Sequence, residues 1–143
     1  MKRYYISHPF TGNEDENKAD ADQIRAALKE AHPGICFMNP LGMFGNKDTD
    51  YCTALADALE LLSACDAVIF CPGWEESTGC RAEKAFAMQQ GIKIMYLEDF
   101  CADLCHMDNQ EAKQDSAQAI KAACATIIKS RRGRIVYANR HDE

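Results

Sequence analysis

The residues with the most chemistry to offer are gathered between Cys65 and Glu83, in the stretch CDAVIFCPGWEESTGCRAE. An apolar run (67–71) ends at Pro72-Gly73, a polar loop carries Trp74, Glu75 and Glu76, and helix-forming sequence restarts at Ser77-Thr78-Gly79. Strand, polar loop and helix N-terminus in that order put ligand-binding groups at the carboxyl end of a parallel strand, where open α/β sheets bind ligands. Glu83 falls early in the helix that follows, where the macrodipole favours an ionised carboxylate. A carboxylate held at the mouth of a crevice can act as a nucleophile.

Other groups expected at the same crevice are Tyr5, Ser7 and His8 near the end of a first strand, Asn39 after a second, and Asp66 before the third. Carboxylates, a tyrosine hydroxyl and an aromatic plate such as Trp74 suit a sugar with a base attached. One carboxylate can take the anomeric carbon while hydroxyl groups orient the neighbouring atoms. The chain has no Gly-x-Gly-x-x-Gly and no Walker sequence, which argues against a dinucleotide or nucleoside triphosphate site. It also lacks a Gly-x-Ser-x-Gly elbow. Each residue has a plainer reading as well. Glu83 could be a first-turn helix acid, Ser77 an N-cap, Asp66 a helix cap or a lysine partner, Tyr5 strand packing, and His8 a turn residue. Trp74, Met43 and Phe44 could stack on or cover a base, or pack against a second chain.

These groups need a scaffold, and the hydrophobic pattern supplies one. Residues 3–7 read as a first strand, broken by the turn residues 8–13. A helical stripe over 14–32 (Ala21, Ile24, Ala27, Leu28, Ala31) ends at Pro33-Gly34, and residues 35–38 form a second strand closed by Asn39-Pro40. Residues 41–48 read as a loop and 49–64 as a helix with Cys52, Leu55, Leu59 and Leu62 inward. The third strand covers 66–71. The next helix, 79–90, has Ala82, Ala85 and Phe86 inward and Gly91 at its C-terminus; a fourth strand follows over 92–97. Residues 98–110 read as irregular, 110–130 as a last helix and 134–138 as a fifth strand. Strands alternating with helices predict a single α/β domain over 1–143, with a five-stranded parallel sheet and helices on both faces. A flavodoxin-like order, 2-1-3-4-5, puts the switch point between strands one and three, so that loops 7–13 and 71–79 face each other.

Bulk properties narrow the function. A chain of 143 residues, 47% hydrophobic and 27% charged, is long enough to bury a real core. Its net charge of −6 and pI of about 5.2 argue against a nucleic-acid polymer as partner. The one basic cluster (Lys129, Arg131, Arg132, Arg134) reads as a solvated helix end. No run approaches the ~20 apolar residues a membrane helix needs, and the N-terminus has no secretory h-region, so a cytoplasmic protein is expected. The eight cysteines, several of them inside apolar runs, read as buried free thiols. Cys101, Cys105 and His106 lack a second ligand pair at zinc spacing, so no metal site is expected.

Taken together, the motifs carry a resemblance. Tyr5-Ile6-Ser7-His8-Pro9-Phe10-Thr11-Gly12, Asn39-Pro40, Cys65-Asp66, Pro72-Gly73-Trp74 and Ser77-x-Gly79-x3-Glu83 resemble, in order, the signatures of the nucleoside 2-deoxyribosyltransferase-like superfamily. The resemblance covers residues 3–97. It implies a flavodoxin-like fold and cleavage of the N-glycosidic bond of 2-deoxyribonucleosides or their 5′-monophosphates by double displacement, without a cofactor. By the same resemblance Glu83 is the nucleophile, Tyr5 orients it, Asp66 handles the leaving base, and Ser77 takes the 5′ end. Ser77 stands where many relatives carry an acid, and His8 where many carry a small residue. The resemblance further implies a homodimer or higher oligomer. A non-catalytic nucleotide-binding or sensing module of the same fold is the alternative, and residues 98–143, which match nothing in the family, could bind a protein partner.

Overall fold

The computed structural model describes residues 1–45, 48 and 50–104, with backbone alone over 101–104. The chain runs β1 (Lys2–Ser7), α1 (Glu14–Ala31), β2 (Ile35–Met38), α2 (Pro40–Phe44), α3 (Tyr51–Ser63), β3 (Ala67–Phe70), a 3-10 turn (Trp74–Glu76), α4 (Thr78–Gln90), β4 (Lys93–Tyr96) and α5 (Leu97–Leu104). Among these residues the sheet has four strands in the order β2-β1-β3-β4, and every pairing is parallel. This is the expected order up to the fourth strand. The helix expected at 110–130 and the strand expected at 134–138 lie outside the described residues.

Alternation along the strands splits the core in two. Ile6, Ile69 and Cys71 join Ile24 and Leu28 of α1 and Leu97 and Phe100 of α5 on one face of the sheet. Tyr5, Val68 and Phe70 join Leu62 of α3 and Cys80 and Ala87 of α4 on the other. Helices therefore cover both faces, as parallel strands buried on both sides require. Each large apolar side chain buried here contributes about 1.5–3 kcal/mol.

The helix ends are specified locally. Asp50 accepts from Thr53 N at 3.3 Å to start α3, and Ser77 accepts from Cys80 N at 3.3 Å to start α4; each cap is worth about 1 kcal/mol. Gly91 closes α4 with φ +70°, a left-handed conformation that favours glycine.

Several local expectations change. Residues 40–44 form α2 rather than a loop, because Pro40 at the first helical position is preset for the helix. Its N-cap, Asn39, makes no capping bond, and its Nδ2 donates to Asp22 Oδ1 at 2.8 Å. The segment expected to be irregular after β4 is α5, which begins on Leu97 and anchors through Phe100. In α3, Cys52 is exposed and only Leu62 is fully buried. In α4 the buried stripe is Cys80, Glu83 and Ala87, while Ala85 is exposed. The apolar pattern misplaces that stripe because a carboxylate occupies a core-facing position.

Candidate active site

The two central strands end together and then part. Ser7 pairs with Phe70, and Cys71 N extends the ladder by donating to Ser7 O at 2.9 Å. Beyond that point the β1 chain turns toward α1 on one face, while the β3 chain turns toward α4 on the other. A crevice opens between them at the switch point.

Glu83 sits at that crevice. It is the sixth residue of α4, one turn beyond the helix start, so it is neither a first-turn acid nor a side chain held ionised by the helix end. It is 7% exposed. Ser7 Oγ donates to Glu83 Oε1 at 3.3 Å. Glu83 Oε2 and the hydroxyl of Tyr5, which is fully buried in β1, have no hydrogen-bond partner among the described residues. Tyr5 is near enough for its ionisation and that of Glu83 to affect each other, but Oη and Oε2 stand outside hydrogen-bond geometry, so the Ser7 bond is the one formed.

Burial decides the charge state. It pushes the Glu83 carboxyl up to about 7, against the opposing pull of the Tyr5 and Ser7 hydroxyls, which favour the anion. Tyr5 is raised well above its ordinary value, first by burial and then by the neighbouring Glu83 charge. The expectation of a fully ionised Glu83 is corrected: near neutrality the site holds acid and carboxylate in similar amounts. A carboxyl poised there can act as either acid or nucleophile.

The remaining expected residues divide. Ser77 caps α4, and Gly79 lies one turn before Glu83 on the same helix. Ser7 holds Glu83 directly. His8 is buried next to it, with Nδ1 2.7 Å from Pro9 O; a carbonyl only accepts, so Nδ1 carries the hydrogen. Asn39 is buried at the end of β2, its Nδ2 committed to Asp22 and its Oδ1 without a partner. Trp74 is engaged with the protein: its ring centroid is 5.5 Å from Phe70 and 5.7 Å from Tyr96, and Lys84 Nζ stands 4.4 Å over it. It braces the loop instead of offering an open stacking plate.

Asp66 is not brought to the site. It lies at the amino end of β3, where Arg3 N donates to its Oδ2 at 2.8 Å and Asp66 N donates to Arg3 O. The strand that follows sets it about 13 Å from the carboxyl edge, at roughly 3.3 Å per residue. It caps the sheet at the edge opposite the crevice.

Two contributors escaped the sequence reading. Asn17 of α1 is buried and donates to Phe10 O at 2.9 Å, tying down the loop after β1. Tyr51 opens α3, and its hydroxyl stands over the first turn of α4. A usable signal was available for Tyr51, because a helix that follows a parallel strand starts at the strand's carboxyl edge. No group of metal-binding side chains occurs among the described residues, and none of their helices is long and apolar enough to cross a membrane. Cys105 and His106 lie outside those residues.

The family model described as a domain of unknown function, DUF4406, matches residues 2–96. The chain belongs to the DUF4406 family. The matched span holds all four strands, α4 and every candidate residue of the site, so the crevice is part of the DUF4406 domain itself. The DUF4406 chain also resembles a solved structure titled 2-desoxiribosyltransferase from Leishmania mexicana, with a TM-score of 0.53 and 22% identity over 67% of this chain. The likeness spans 63% of that protein's length and shows a shared fold. No curated protein matches the chain significantly.

Proposed function

We propose that the protein cleaves the N-glycosidic bond of 2-deoxyribonucleosides or their 5′-monophosphates, passing the sugar to water or to a second base. The observation that carries this reading is Glu83: a buried carboxyl at the switch point, one oxygen held by Ser7 and the other unpartnered. The fold, shared with a protein titled a 2-desoxiribosyltransferase, supports it.

In this reading the ionised Glu83 Oε2 attacks C1′ through an oxocarbenium-like transition state. The C1′–N bond breaks and its electron pair leaves with the base. Ser7 fixes the carboxylate and Tyr5 completes its orientation. His8 and Asn39 shape the sugar pocket. Ser77 and Gly79 receive the 5′ end, where Ser77 keeps its O–H for a ligand while its oxygen caps the helix. Water or a second base then displaces Glu83 from C1′. No metal or organic cofactor takes part. A homodimer or higher oligomer in the cytoplasm belongs to the same reading and rests on the family resemblance.

Free-base release, followed by chromatography over the deoxynucleosides and their 5′-monophosphates, tests the reading. Release in water alone identifies a hydrolase; release only with an acceptor base identifies a transferase. Glu83→Ala is expected to bind the same ligands and release nothing. Binding without release by the unaltered protein refutes catalysis and leaves a nucleotide-sensing module.

A further inference from the structure

Gly79 and Glu83 are four residues apart on α4 and so share a face, just over one turn or about 6 Å from each other along the axis. That is comparable to the reach of a deoxyribosyl group from C1′ to its 5′ oxygen. Glu83 stands at one end of the stripe with its unpartnered Oε2, more than nine-tenths buried. At the other end a Cβ added to Gly79 would lie 3.7 Å from Tyr51 Oη and 3.9 Å from Ser77 Oγ. Two hydroxyl groups from different elements thus converge over backbone that carries no side chain. Cys80 N and Arg81 N are used by Ser77, whereas the N–H groups of Thr78 and Gly79 have no intrahelical acceptor.

We propose that Tyr51 is a specificity-determining residue of this site, its hydroxyl donating a hydrogen bond to an oxygen at the 5′ end of the deoxyribosyl group. The inference deepens the glycosidic reading and rests on it. Tyr51 is 48% exposed, so its ring is not required as core. Its hydroxyl is coupled to the site: burial raises its proton affinity first, the Glu83 charge second, and Arg81 opposes both. It therefore stays a neutral donor, which suits a 5′-hydroxyl and a 5′-phosphate alike. Glu75 and Glu76, exposed on the preceding turn, work against a phosphate, so the two ligands must be compared directly.

The test is Tyr51→Phe in the full chain, with the four common 2-deoxynucleosides and their 5′-monophosphates as probes. KM for base release and calorimetric Kd are expected to rise about fivefold, the worth of one neutral hydrogen bond, with kcat within about twofold and Tm unchanged. A rise for the monophosphates alone places the bond on phosphate; a rise for both places it on the 5′ oxygen. Unchanged KM and Kd overturn the proposal, as does a fall in Tm and kcat at constant KM, which marks a merely structural tyrosine. If the unaltered protein binds but releases no base, catalysis fails separately and the ratio of Kd values alone decides Tyr51. If it binds none of the panel, both readings fall.

Discussion

Replacing Glu83 with Gln isolates what burial of this carboxyl costs the fold. The group moves from an ordinary value of 4.5 to about 7 in the folded protein. Its folded value is raised, so between those limits the folded state binds more proton than the unfolded state, and stability falls as pH rises. The contribution is complete below 4.5 and lost as pH climbs through about 7. At about 1.4 kcal/mol for each tenfold of proton affinity, the gap amounts to about 3 kcal/mol. Gln has the shape of the neutral acid and does not titrate. Glu83→Gln is therefore expected to match the parent at about pH 4 and to exceed it by about 3 kcal/mol at about pH 8, roughly 10 °C in Tm for a chain of this size. Thermal melts of both proteins by circular dichroism across that range measure the difference. All other carboxyl groups are common to the pair and cancel. A difference in Tm that does not change with pH would refute a buried, titrating Glu83. The same variant should release no base, a gain in stability at the expense of function.

Three further outcomes follow from the geometry. Base release should rise with pH through about 7 as Glu83 ionises, and Ser7→Ala should move that limb upward by about one pH unit, because a hydrogen bond to a charged group is worth about 1.5–3 kcal/mol; initial rates between about pH 5 and 9 measure both. Asp66→Ala should leave base release at the parental rate and lower stability by about 1 kcal/mol through its lost bond to Arg3 N, as read from the same assay and a urea titration. Gly91→Ala should cost about 1 kcal/mol, since it forces a side chain into the left-handed cap of α4, with Tm falling and KM unchanged.

The residue types and their punctuation carried much of this protein. Gly91 after a helix, Ser77 before one, and Pro72-Gly73 after a buried strand each act locally, so the four described strands, most helices and the switch point between β1 and β3 are legible without coordinates. Pro40 was also local evidence for α2, though two nearby glycines masked it. Other features depend on packing. The buried phase of α4 was misread because Glu83, a charged residue by type, takes a core position that only the surrounding fold can stabilise. Asp66 is adjacent in sequence to the strand that feeds the site, yet strand length carries it to the far edge. Trp74 was expected to be open, and Phe70, Tyr96 and Lys84 occupy its ring. Tyr51 reaches the site from α3 across the turn of α4, a contact between segments that share no sequence pattern. Sequence determined which chemistry was available and where the chain turns. Tertiary structure decided which carboxyl is buried, what charge it holds and which hydroxyl groups surround it, because desolvation and proximity exist only once distant segments have packed.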